Sequence, residues 1–253
     1  MLLKREEMSV NGIDIAEYNA RLLTYSVGST TFTKNYTSNK NCVIPLISSI
    51  NLGTRPLTIT ITFKPVDLED KWHSVAVNKS RFDKILTDNT PVEITLPDGF
   101  MYTAICKSIT ELSPDGTDCF DVTYTFEAIM HEAEVVISNN NETNNFFFEV
   151  GGNTETNCVV ELTPMSECNI KFVIAKRETG KTLVPAINIL NVSENSKVVI
   201  DTIHKTVTVN GENWMLNTNI VSFPLLPPEE LIVYVAPSDV DISTNIKYYP
   251  TYI

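Results

Sequence analysis

Every second residue of Leu57-Thr58-Ile59-Thr60-Ile61-Thr62-Phe63 is apolar, and every residue between is threonine. Side chains of a strand point alternately to its two faces, so strict alternation over this length fits a strand with one face in a core. Val122-Thr123-Tyr124-Thr125-Phe126-Glu127-Ala128 repeats the pattern. Thr206-Val207-Thr208-Val209 alternates as well and runs into Asn210-Gly211, two residues that tolerate positive φ and close tight hairpins. Pro97-Asp98-Gly99 and Pro114-Asp115-Gly116 bracket the strand-like segment 101–112. In both, proline presets the first turn residue and glycine accepts a positive φ.

The second half continues in the same manner. Asn169–Ala175, Ala186–Leu190, Lys197–Asp201, Thr206–Val209 and Leu231–Ala236 read as short strands separated by turn-type residues. Pro224, Pro227 and Pro228 mark a connection, since proline cannot donate within a central strand. One stretch departs from this regime. Between Asp67 and Asp88, Leu68, Trp72 and Val75 fall at helical spacing. Ser80 with Asp83 three residues on then reads as a capping box opening a second short helix that carries Ile85 and Leu86. The polar run Ser138-Asn139-Asn140-Asn141-Glu142-Thr143-Asn144-Asn145 cannot build a core. It predicts a linker over 138–145 between domains at 1–137 and 146–253, the alternative being a long loop inside one domain. The expected fold class is all-β, two β-sandwich domains, the first with a short helical excursion.

Charge and chemistry-bearing residues narrow the function. Thirty-one acidic residues against 19 basic ones give a net charge of -12. Nucleic-acid affinity rests on clustered Lys and Arg, so specific nucleic-acid binding is not expected. No apolar run is long enough to span a bilayer, which argues against membrane insertion. Met1-Leu2-Leu3-Lys4-Arg5-Glu6-Glu7 carries charges where a signal peptide needs apolar residues, so the chain is expected to fold in a cytoplasm. Cys42, Cys106, Cys119, Cys158 and Cys168 are odd in number and form no CxxC pair, which predicts buried reduced thiols. His73, His131 and His204 show no ligand spacing. No catalytic residue, cofactor or metal site is expected.

Ala175-Lys176-Arg177-Glu178-Thr179-Gly180-Lys181-Thr182 fits a relaxed phosphate-loop pattern. Such a loop needs a helix beginning at its Lys-Thr, and the following Leu183-Val184-Pro185-Ala186-Ile187 is strand-like, so a polar hairpin tip is the better reading. Trp72, on the apolar side of the expected helix, is assigned to core packing. Trp214 follows the Asn210-Gly211 turn, where exposure is expected, and is the one candidate for stacking on a sugar. The sequons at Asn35, Asn78, Asn141 and Asn191 carry little meaning without a secretory signal.

An ordered series of short motifs adds a resemblance. Asn11-Gly12-Ile13-Asp14-Ile15, Glu17-Tyr18, Arg21-Leu22-Leu23 and Tyr25-Ser26-Val27-Gly28 open the chain. Asn51-Leu52-Gly53, Leu57–Phe63, Gly99–Ala104 and Val122–Phe126 follow. Val198–Asp201, Val207–Gly211, Phe223–Leu226 and Tyr248-Tyr249-Pro250 complete the series. In this order they resemble the distal tail (Dit) family of long-tailed phages over nearly the whole chain. Pro227-Pro228-Glu229-Glu230 stands where the family has a glycine-bearing turn.

The resemblance implies a first domain that closes into a homo-hexameric ring and a galectin-like second domain. It implies a hub at the virion tail tip, made in the bacterial host cytoplasm. The partners it implies are a tail tube protein on one side and a tail-associated protein on the other, with DNA passing through the ring. The acidity of the chain suits a channel wall that repels phosphate. A different class of function, contact between the second domain and a cell-wall saccharide through Trp214, is the alternative.

Overall fold

The computed structural model describes residues 8–37, 46–88, 90–111, 119–139 and 144–253. Cys42, the turn at Pro114-Asp115-Gly116 and the sequon at Asn141 lie outside them. The chain divides into two compact units, Met1–His131 with Ile253, and Glu132–Tyr252.

The first unit contains strands β1 (Ser9–Val10), β2 (Ile13–Asp14), β3 (Ala20–Val27), β4 (Phe32–Thr37), β5 (Leu46–Leu52) and β6 (Arg55–Phe63). Helix α1 (Lys71–Leu86) follows, then β7 (Val92–Thr95), β8 (Met101–Glu111) and β9 (Phe120–His131). One antiparallel sheet runs in the order β2-β1-β7-β8-β9-β6-β3. β4 and β5 pair with each other as a separate hairpin.

The alternation of the sequence sets which face is buried. Leu57, Ile59, Ile61 and Phe63 of β6 lie in the core beside Val122, Tyr124, Phe126 and Ala128 of β9. α1 covers this face with Val75, Phe82 and Leu86. The Phe82 ring meets Tyr18, Phe63 and Tyr124 edge-on at centroid distances of 5.5, 6.0 and 5.5 Å, the geometry that aromatic quadrupoles favour.

Two expectations for the helical region are corrected. There is one continuous helix of 16 residues, capped by Asp70, whose carboxylate accepts from the His73 amide at 3.2 Å. Ser80 lies inside it. No Gly or Pro interrupts 71–86, and the Lys79–Asp83 pair spans the expected break, so the helix propagates through it. Leu68 precedes the helix and is exposed. Trp72 is 65% exposed and not in the core: it sits in the first helical turn, where its ring lies 4.8 Å from that of Phe120 on the surface.

The second unit holds β10 (Val135–Asn139), β11 (Asn145–Glu149), β12 (Cys158–Pro164), β13 (Cys168–Lys176) and β14 (Ile187–Val192). It continues with β15 (Val198–Asp201), β16 (Thr206–Val209), β17 (Glu212–Asn213), β18 (Glu230–Ala236) and β19 (Ile242–Tyr248). Two antiparallel sheets, β10-β19-β12-β15-β16-β17 and β11-β18-β13-β14, contribute to one apolar core, the β-sandwich expected here. All five strands read from the second half are present, Thr206–Val209 with the same ends and the others with ends shifted by at most two residues. Asn210 (φ 51°) and Gly211 (φ 85°) join β16 to β17 in the two-residue hairpin their residue types require.

The domain boundary differs from the expected one. It falls at His131/Glu132, and the segment 135–139 is already an edge strand of the second unit. The asparagine-rich stretch therefore connects the edge strands of that unit's two sheets instead of joining two domains. Val135 and Ile137 pack on the core before it and Phe146 and Phe148 after it, which draws both flanks into one sandwich. Asn144, counted in the sequence as linker, is buried. Its amide donates to the carbonyls of Pro237 (2.9 Å) and Val240 (2.6 Å), and its Oδ1 accepts from the Ile242 amide at 3.2 Å.

Candidate interaction surfaces

Trp214 stands just after β17 and is half-buried against the core of the second unit. Its Nε1 donates to the Leu190 carbonyl at 2.9 Å, and its backbone amide donates to Val207 O at 2.8 Å. The indole is thus fixed in place, with its polar handle already used. The segment after it lines the edge of β14: the Asn188 amide donates to Asn219 Oδ1 at 2.6 Å, and Asn219 Nδ2 donates to Ala186 O at 3.0 Å. Leu216 and Val221 in this segment are almost fully exposed.

The Ala175–Thr182 segment forms the hairpin expected of it. Lys176 N donates to Lys181 O at 2.9 Å, Gly180 N donates to Lys176 O at 2.9 Å, and Gly180 has φ 66°. No helix follows, so these backbone amides satisfy each other. The four described cysteines are free: Cys158 is buried, which pushes its thiol up to about 12, and Cys106, Cys119 and Cys168 are half-buried. His131 is buried with Nε2 3.0 Å from Thr103 Oγ1, while His204 is exposed in a turn beside Asp201. The structure brings none of the three histidines together in a site. No group of three or more metal-ligating side chains occurs among the described residues.

Three surface features escaped the sequence reading. Beneath Trp72, Lys79 pairs with Asp83 and with Glu111 (2.7 Å), and the Tyr124 hydroxyl donates to Asp83 at 2.9 Å. Burial alone would lower the Lys79 pKa, but the two carboxylates outweigh it and raise it. On the outer face of the smaller sheet, the Arg177 guanidinium lies 4.2 Å over the Phe147 ring and bonds both carboxylate oxygens of Glu230 at 3.0 and 3.1 Å. On the outer face of the larger sheet, Glu161 of β12 bridges Lys197 and Lys247, each at 2.9 Å. Burial would raise the Glu161 pKa, and the two ammonium groups more than reverse that and lower it.

The outer face of the first unit's sheet is of another kind. The registers of β3, β6, β9 and β8 align Thr24, Thr60, Thr123 and Thr110 in one row. Ser26, Thr58, Thr125 and Ser108 form the next. Thr60 and Thr123 hydroxyls are 3.1 Å apart. The threonine alternation was visible in single strands; the rows exist only through cross-strand register.

Comparison with known proteins gives this geometry a context. Residues 151–252 match the family model described as siphovirus-type tail component, C-terminal domain. No curated protein sequence matches the chain. Among solved structures, the Dit protein of phage SPP1, described as a paradigm of the hub adsorption apparatus in phages infecting Gram-positive bacteria, is similar at a TM-score of 0.73 and 16% identity. The match covers 99% of this chain and 100% of that one. Chains from the phage P2 baseplate in its activated conformation match with TM-scores of 0.54 (calcium form) and 0.57 (strontium form), at 8% and 9% identity. Each covers 96% of this chain and 98% of the other. Residues 151–252 thus match a siphovirus-type tail component C-terminal domain, and the chain as a whole has the fold seen in the Dit protein of phage SPP1.

Proposed function

We propose that this chain is the non-enzymatic hub of a phage tail tip. Six copies close into a ring through their first units, join the tail tube on one side to a tail-associated protein on the other, and leave a channel for DNA. The observation that carries this reading is the likeness to the SPP1 hub protein over the full length of both chains, together with the tail-component match over the second unit. A cyclic head-to-tail contact between identical subunits is the simplest way for one chain to make a closed ring. The β4–β5 hairpin supports the reading. Among the described residues it pairs with no third strand, and a lone two-stranded hairpin is marginal in water. Packing against a neighbouring subunit would stabilise such a hairpin.

Native mass measurement with electron micrographs of the same sample tests the ring. A hexamer with a central hole is expected. A strict monomer both alone and mixed with its tail tube protein would reject the hub.

A second reading, saccharide contact by the second unit, has one observation in its favour. Trp214 keeps part of a rigidly held indole at the surface. Sedimentation with purified cell walls tests it: Trp214→Ala should abolish binding, and equal binding by both proteins removes Trp214 from any such site.

A further inference from the structure

We propose that the outer face of the smaller sheet, centred on Phe147 and Tyr234, binds a neutral polysaccharide built of pyranose rings. This rests on the saccharide reading of the second unit given above and assigns it a face of its own, without drawing on Trp214.

Cross-strand register arranges the face in rows that run from β11 over β18 to β13. Glu149, Glu230 and Arg177 form the first. Phe147, Ile232 and Ala175 form the second, and Asn145, Tyr234 and Val173 the third. Ala236 and Lys171, continued by Asn188 of β14, form the fourth. Phe147 is 61% exposed and Tyr234 42%, while Ile232 and Val173 are half-buried and Ala175 is covered. The apolar strip is thus confined to the second and third rows, with charged or amide side chains on either side. Leu190, also exposed, follows Asn188 by two residues and lies beyond that border.

The size of the strip selects the class of occupant. Same-face rows are roughly 7 Å apart and strands about 4.8 Å apart, so the strip measures roughly 7 by 10 Å, enough for about one or two pyranose rings. A stable protein interface covers roughly 800 Å² on each partner, many times more. A pyranose has an apolar C–H face and a rim of hydroxyls, and an exposed aromatic ring offers that face a flat apolar surface. The surroundings supply partners for the rim. Both bonds from Arg177 to Glu230 leave from Nη1, so the Nη2 donors and the Tyr234 hydroxyl have no partner among the described residues. The same pair fixes the guanidinium over Phe147, so this corner is ordered before any ligand arrives. Charges on the face balance, Glu149 and Glu230 against Arg177 and Lys171, which favours a neutral chain over a polyanion.

The full chain is sedimented with protein-free cell walls from several Gram-positive species, at low and high salt, before and after the walls are treated with periodate, which cleaves vicinal diols. Phe147→Ala, Tyr234→Ala, Phe147→Tyr, Leu190→Ala and Trp214→Ala are compared with the parent, and amide spectra check that each is folded. Phe147 and Tyr234 point away from the core, so their truncation leaves it intact.

Affinity is expected to fall about 10-fold or more in Phe147→Ala and Tyr234→Ala. Phe147→Tyr and Leu190→Ala should bind as the parent does, periodate should abolish binding, and salt should leave it unchanged. Parent-like binding by both face variants overturns the site; if Trp214→Ala alone loses binding, the saccharide reading survives without it. Binding that outlasts periodate, or that fades with salt, overturns a neutral sugar as the ligand. No binding of the parent to any wall overturns the site and the saccharide reading together, while the hub is judged separately by its ring.

Discussion

Residues of one type do different work depending on the groups that surround them. Thr60 shares a hydrogen bond with Thr123 on an open face, whereas Thr62, two residues along the same strand, is buried and its hydroxyl finds no partner among the described residues. Asn144 and the other asparagines of its run look alike in sequence, yet Asn144 ties three backbone groups inside the second unit. Glu161 lends itself to measurement. Lys197 and Lys247 hold its folded pKa below the ordinary 4.5, so the folded state releases its proton more readily than the unfolded chain does. The stability this contributes is present above pH 4.5 and is lost as the pH falls through the lowered folded value. Glu161→Gln should therefore reduce stability at neutral pH and flatten this part of the acid-side loss. Denaturant midpoints measured between pH 3 and 7 check it, and parallel curves for the two proteins would refute it.

At the scale of elements, alternation and turn chemistry located β6, β8, β9, β13, β14, β15, β16 and β18, because both are local properties of the chain. The helix shows where such reasoning stops. A capping box at Ser80 and a cap at Asp70 are both acceptable locally, and helix continuity is decided by whether the intervening turns pack. Phe82 and Val75, buried against β6 and β9, settle it in favour of a single helix. Asp70→Ala should accordingly cost about 1 kcal/mol through loss of the cap. Ser80→Ala should stay within about 0.5 kcal/mol of the parent. Thermal unfolding of the two variants distinguishes these outcomes, and a larger loss at Ser80 would restore the two-helix reading. The hairpin at Ala175–Thr182 illustrates the reverse case: a phosphate-loop pattern was rejected from its strand-like sequel alone, and the backbone bonds are those of a hairpin.

At the scale of the whole molecule, each unit owns a separate apolar core. A fragment comprising 132–252 should then fold by itself and unfold cooperatively, as checked by calorimetry and by the dispersion of its amide resonances. A fragment beginning at 146, the boundary suggested by composition, lacks β10, β11's first residue and Asn144, and should be markedly less stable. The sequence by itself determined the all-β class, the half-buried faces of β6 and β9, the Asn210-Gly211 hairpin and, through its ordered motifs, the tail-protein resemblance. These depend on neighbours along the chain, which a linear reading sees. Only the tertiary structure decided the boundary at His131/Glu132, the exposure of Trp72, the half-burial of Trp214 and the alignment of single-strand threonines into rows. Each of these depends on which strand lies beside which and in what register. Many pairings of similar strands satisfy the same alternation, and packing of the whole core selects among them.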